Sequence, residues 1–300
     1  MVNKYLLGLR KNKVPYLLIF PSVGVFVAIM LYPLVYGIYM SFFRQTVLMV
    51  KPVFVGLSNY KTLFFDERFY IGSLKNTLIW SITVVSFTTV ISFSVALVLN
   101  QRLIGRRLIR TLILLPWIVP TVTAATVWGL IFDARYGFLN YVLSQVLNIE
   151  RFRNFGWLID TRTSLFSAIL VQIWKSFPFF TLAFLSGLQS IPEDLYDAAG
   201  LDGASYLSKL RYITLPSMKS IFFILLLLNV LWTFKAFTIV YVLTKGGPYH
   251  SSEVVGVYAW LTSFFYNRPG LGSAVGVIIF IMLLLFARAY IKYFKGKEQL

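Results

Sequence analysis

The sequence predicts an all-α integral membrane protein with six transmembrane helices and both termini in the cytoplasm. Three observations carry that reading. Of the 300 residues, 58% are hydrophobic and 13% charged, with a mean hydropathy of +0.75; a soluble chain is usually about 45–50% apolar and about 25% charged. Six segments are apolar over the roughly 20 residues that a bilayer crossing needs. Lys and Arg are shared unevenly among the pieces between them, which sets orientation.

The spans lie near 14–40, 76–99, 108–132, 164–188, 218–243 and 271–291. The opening MVNKYLLGLRKNK carries the positive charge of a signal-peptide start. The apolar run after it is long and has no small-residue cleavage site, so it reads as an uncleaved first span. In the last span Gly272 and Gly276 form a small-xxx-small pair suited to close helix contact. With the N-terminus inside, the inner pieces hold 15 Lys and Arg and the longer outer loops 11, a density difference of about twofold in favour of cytoplasmic termini. The organisation is then a tail at 1–13, one transmembrane domain over 14–295, and a tail at 296–300.

Composition also excludes several functions. A net charge of +17 could serve a nucleic acid, but the basic residues sit in short clusters between apolar runs and not on one solvent-facing surface. Without cysteine, disulfides, iron–sulfur clusters and cysteine-based zinc sites are impossible, and the single histidine, His250, forbids a multi-histidine metal site. The spans offer no nucleophile–base pair, so no catalytic residue is assigned. G-x-x-x-x-G-K-[ST] is absent, so this chain brings no nucleotide site of that kind and no cofactor of its own.

The most unusual stretch is EDLYDAAGLDGASYLSKLRYITLP, residues 193–216, which lies between the fourth and fifth spans. Glu193, Asp194, Asp197 and Asp202 are four of the chain's eleven acids. Ser190 with Glu193 fits a capping box and Pro192 a first helical position, so one helix runs to about Ala199. Gly200 to Gly203 turn the chain, Asp202 is placed to cap a second helix, and Pro216 breaks the chain before the fifth span. Ala198, Ala199, Gly203 and Ala204 leave a surface that a partner can approach closely. A hairpin resting on lipid would carry Lys and Arg on its polar face instead.

The order Asp197-Ala198-Ala199, three residues, Gly203, nine residues, then Ile213-Thr214-Leu215-Pro216 resembles the signature loop of permease subunits in bacterial and archaeal ABC importers. The family's usual Glu at the first position is Asp197 here. The segments LLPWIVPTVTAATVWGLIFDARYGFLN (114–140) and LTKGGP (243–248) resemble the sugar-importer branch. From about 14 to 295 the chain is similar to the first subunit of the permease pair in the maltose-transporter class, without the long N-terminal extension and large outer loop of some members. The resemblance implies that the loop at about 190–216 forms coupling helices that seat in a cytoplasmic ATPase. It implies a bacterial or archaeal plasma membrane, a second homologous permease subunit, two ATP-binding cassette subunits that hold ATP and Mg, and an extracellular or periplasmic solute-binding protein.

Two helix faces are candidates for the solute. Gln172, Lys175, Ser176 and Phe179 fall at i, i+3, i+4 and i+7 of the fourth span, beside Pro178, which interrupts the backbone ladder. Asn229, Trp232 and Thr233 share a face of the fifth span, and Lys235 points elsewhere. A charge within a span costs about 2.5–3.5 kcal/mol on insertion scales and is usually functional. The resemblance carries sugar contact onto all seven. Aromatic faces stack on sugar rings while amides and hydroxyls take ring hydroxyls. Lys175 departs from the family's pattern and keeps open an anionic solute, such as a glycerol phosphate or a uronic-acid oligomer. Thr121 and Thr123, after Pro120, are further candidates. A stand-alone secondary transporter is the rival class, but the spans lack the Asp, Glu or His that would couple ions.

Overall fold

The computed structural model describes residues 13–46, 51–101 and 104–298; most of the two terminal tails expected from the sequence lies outside them. Helices dominate. Among the described residues five are long and apolar enough to cross a membrane, or six if one bent pair counts as a single span. The chain divides into two compact units, one holding residues up to Asp66 with Ala259–Phe280 and the other Glu67–Tyr258 with residues from Ile281 onward.

In the first unit the span Leu17–Met40 is apolar throughout, and its 18-residue hydrophobic window has no buried residue. It runs through a π-helical turn at Val27–Leu31 and ends on Ser41. An element absent from the all-α expectation follows, an antiparallel pair of two-residue strands with Phe43 opposite Phe54 and Arg44 opposite Val53. Asn59, on the short helix Ser58–Phe65, braces the turn by donating from Nδ2 to Ser41 O (2.8 Å) and Phe43 O (2.9 Å). Gly272 meets Ser263 and Ala259 O so closely that a Cβ would collide, whereas Gly276 has nothing within 4 Å. Only the first of the expected small-residue pair makes a close contact.

The second unit is built on two parallel spans, Arg68–Leu99 and Ser164–Leu188. They pack closely because the second span turns a stripe of small side chains inward: Ser73, Thr77, Ser81, Thr88, Ser92 and Ala96 are all buried. Phe93, Phe184 and Phe222 then interlock, with Phe93 4.8 Å from Phe222 and Phe184 4.7 Å from it. Leu185, Leu188, Met218 and Leu225 complete this apolar core.

The third span is not the continuous helix expected over 108–132. Arg106–Ile118 and Thr121–Ile131 meet at 91°. Pro120 has no N–H, and its ring drives Val119 out of the helical region to φ −57°, ψ 132°. Pro178, expected to interrupt the fourth span, is instead buried within an unbroken helix. The fifth span does break, between Lys219–Phe234 and Thr238–Thr244. There the indole N–H of buried Trp80 donates to Thr233 O at 3.2 Å.

Candidate functional site

A cavity of about 360 Å³ opens where the bent third span faces the fourth and fifth. The fourth-span face predicted from spacing lines it in full, with Gln172, Lys175, Ser176 and Phe179 all present. Trp232 comes from the fifth span and Thr121 from just past the bend, and Trp117 and Phe180 complete the wall. The last two were not anticipated. Trp117 belongs to the quoted run LLPWIVP, but only the bend turns it inward.

The cavity joins an aromatic platform to a small polar edge. Trp117 stacks on Phe179 at 5.7 Å, and Phe179 lies 5.1 Å from Trp232, which is 6.0 Å from Phe180. Gln172 Nε2 donates to Ser176 Oγ at 2.7 Å, leaving the Gln172 carbonyl and one amide hydrogen for a ligand. Lys175 Nζ reaches Val119 O at 2.7 Å, Trp117 O at 3.4 Å and Pro116 O at 3.5 Å. These carbonyls end the short helix before the 91° bend, so the ammonium satisfies groups that Pro120 leaves without a helical donor.

Asn229 and Thr233 lie outside the cavity wall. Both are buried, and Thr233 Oγ1 donates to Asn229 Oδ1 at 3.2 Å. Asn229 Nδ2 makes no hydrogen bond among the described residues. Helical spacing groups them with Trp232, but of the three only Trp232 lines this cavity. Thr123 is exposed and also outside the wall. Lys235 caps the C-terminal end of Lys219–Phe234 and is exposed.

At the other end of the unit, beyond Leu99 and Leu188, the acidic segment forms the expected pair of short helices, Glu193–Leu201 and Tyr206–Lys209. Their caps differ from the expected ones. Ser190 Oγ bonds back to Gly187 O at 2.8 Å, so there is no capping box, and Pro192 precedes the first helix instead of opening it. Asp202 ends that helix; Ser205 caps the next, with Oγ accepting from Ser208 N at 3.3 Å. Between them Gly203 N reaches Gly200 O and Ala204 N reaches Ala199 O, a Schellman closure that requires the left-handed φ of +75° found at Gly203. Pro216 does not break the chain. It opens a helical turn, Leu215–Ser217, directly after the π-helical Leu210–Thr214.

Tyr196 OH, 3.0 Å from Thr214 Oγ1, ties the hairpin to the fifth span's approach. Tyr196 and Ile213 rest on the apolar core. Outward face Glu193, Asp194, Asp197, Ala198, Asp202, Leu215 and Pro216, with Ala199 half-buried. Leu201, Leu207 and Tyr212, which sequence reasoning passed over, are 92%, 72% and 71% exposed. Apolar exposure beside acids marks a contact surface more than a solvated one.

A multi-pass helical chain with a cavity between broken spans and a capped helical hairpin at one end has the architecture of a membrane transport subunit. The chain belongs to the family of binding-protein-dependent transport system inner membrane components, whose model matches residues 88–297. It is 35% identical over 285 residues to the trehalose/maltose transport system permease protein MalF of Thermococcus litoralis, covering 94% of each chain. Its fold matches a chain of a bacterial ABC transporter involved in the import of the acidic polysaccharide alginate, with a TM-score of 0.82, 22% identity, and 96% and 99% coverage. A second such structure, an alginate ABC transporter in complex with alginate pentasaccharide-bound periplasmic protein, matches at 0.79 with 22% identity and 94% of each chain. The chain is thus an inner-membrane permease component of a transport system, as its relatives are named.

Proposed function

We propose that this permease imports a neutral oligosaccharide, delivered by a solute-binding protein. The observation that carries the reading is the platform of Trp117, Phe179 and Trp232 beside Gln172 and Ser176. Aromatic faces suit the apolar faces of sugar rings, and an amide with a hydroxyl suits their edges. Asn229 and Thr233 support that wall from behind, next to Trp80. The trehalose/maltose permease relative favours the same substrate class.

The chain works as half of a translocation pathway, with a second homologous permease as the other half. Two ATP-binding cassette subunits bind ATP and Mg and hydrolyse the nucleotide. The hairpin of Glu193–Leu201 and Tyr206–Lys209 is the element they grip, through Glu193, Asp194, Asp197 and Asp202 together with exposed Leu201, Leu207 and Tyr212. Both termini face the cytoplasm, on the strength of the Lys and Arg distribution. ATP binding moves the hairpin and opens the cavity outward, and hydrolysis returns it.

An anionic sugar is the second reading. Lys175 in the cavity favours it, as does the likeness to structures whose solute is alginate. The neutral reading takes precedence because the ammonium has three hydrogens and three carbonyls already receive them.

Solute-dependent ATPase stimulation of the reconstituted complex tests both readings, using neutral di- and trisaccharides, uronic-acid oligomers and glycerol phosphates, with Lys175 and with Lys175→Arg. Stimulation by neutral sugars in both forms supports the first reading; response to anions alone replaces it with the second. For the hairpin, Gly203→Asp leaves the chain inserted and abolishes stimulation. No described residue lies within 4 Å of the added Cβ, but a side chain at φ +75° also strains the closure, so the loss reports on the intact turn together with its partner contact. Retained transport in that variant would remove the coupling role.

A further inference from the structure

The end of the second unit opposite the hairpin holds a second, unassigned cavity of about 430 Å³. It lies where the second and fourth spans begin, beside the loop 249–251. Arg68, Lys75 and Arg162 line it, and none of the three makes an ion pair among the described residues. The nearest acids are engaged otherwise. Asp160 Oδ1 accepts from Arg162 N at 2.8 Å, and Glu67 Oε2 accepts from Tyr258 OH at 3.2 Å. Glu253 is bonded to His250; burial pushes its carboxyl upward, and the His250 hydrogen bond draws it back down.

The loop is held in place over this cluster. Asn76 Nδ2 donates to His250 O at 3.2 Å and Glu253 O at 3.1 Å, and Ser251 Oγ lies 3.0 Å from Ser164 Oγ. The His250 ring stacks on Phe69 at 3.9 Å. Tyr249 and His250 both adopt left-handed φ, 48° and 61°, a conformation that non-glycine residues adopt only where surrounding contacts hold them. Three cations therefore line one cavity without a direct ion pair, beside a braced loop.

The lower wall differs. Lys75 stands seven residues after Arg68, about 10 Å further along the helix, and next to it come Ile79 and Phe166, the latter 57% exposed. The cavity thus grades from Arg68 and Arg162 at the mouth, through Lys75, to hydrocarbon along the spans. We propose that it binds a phosphate ester, and that the ester is the headgroup of an anionic lipid whose chains lie along Ile79 and Phe166. Guanidinium and ammonium groups together match a phosphate through charge-assisted hydrogen bonds. An acidic protein surface would need the cations but would leave the apolar wall without a partner.

The test uses the full chain in nanodiscs, with native mass spectrometry to count retained phosphatidylglycerol against phosphatidylcholine. Lys75→Gln/Arg162→Gln is expected to weaken phosphatidylglycerol retention about fivefold for each cation removed. Lys75→Arg/Arg162→Lys keeps it, and so does a control neutralising two exposed arginines outside the cavity, Arg135→Gln/Arg151→Gln. Glycerol 3-phosphate is added in a parallel arm. If it fails to displace the lipid, the hydrocarbon part contributes as proposed; displacement at low millimolar concentration keeps the phosphate-ester site but reassigns its source to a soluble ester. Equal retention by wild type and Lys75→Gln/Arg162→Gln, or equal loss in the control, overturns the proposal. So does a variant whose only defect is in docking the solute-binding protein.

Discussion

Two prolines in facing spans have opposite effects. Pro120 turns the third span by 91°, whereas Pro178 sits inside a 25-residue helix that stays continuous. Each lacks an N–H and each clashes with the preceding turn. They differ in surroundings. Pro178 is buried, and Phe177 O beside it accepts from Ser92 Oγ at 2.9 Å and from Thr181 Oγ1 at 2.8 Å. Pro120 is exposed, and the carbonyls freed before it are met by an ammonium from another span. Here the bent proline is exposed, with carbonyls before it met by a donor, and the unbent one is buried. The cavity follows from that difference, since Trp117 and Thr121, on either side of the bend, both line it.

The comparison breaks most directly at Lys175. Lys175→Met leaves up to three part-buried or exposed carbonyls without this donor and is expected to cost about 1–3 kcal/mol. Thermal unfolding in detergent measures this, and an unchanged melting temperature would refute the capping role. Pro120→Ala comes next. Restoring the N–H lets the third span straighten, which moves Trp117 away from Phe179. The expected outcome is loss of at least about tenfold in sugar affinity, roughly 1.4 kcal/mol, with intact insertion, read by tryptophan fluorescence on titration with maltose and trehalose. Thr181→Val removes one of two side-chain donors to Phe177 O and is expected to lower stability by about 1 kcal/mol. Pro178→Ala is the smallest, within about 1 kcal/mol of wild type, because the helix already runs straight through that position. A large effect there would mean that Pro178, too, shapes the cavity.

The spans were legible because their signal is summed over 20 residues or more. Ser164–Leu188 lies where hydrophobicity placed it, and the face Gln172–Lys175–Ser176–Phe179 was readable from 3.6-residue periodicity alone. What remained hidden depends on neighbours. Hydropathy over 108–132 does not register the bend, because Val119 is as apolar extended as helical. Spacing put Asn229 and Thr233 with Trp232, but which side of a helix faces a void is decided by the helices around it. The hairpin was visible from its composition, and Gly203 from its place in the turn. Its caps were misjudged because Ser190, Asp202 and Ser205 are all competent cap residues, and only the observed chain path shows that Ser205 is the one used.

The first span holds no buried residue in its 18-residue hydrophobic window, and burial begins only at its last residue, Met40. In a two-stage view of membrane folding it completes the first stage, insertion, and leaves the second to be satisfied from outside. Its sequence can therefore drift under selection from lipid or from a neighbouring subunit without altering how the remaining helices assemble. A melting curve of the isolated chain is blind to it, and substitutions along Leu17–Leu31 become measurable only in assays of assembly.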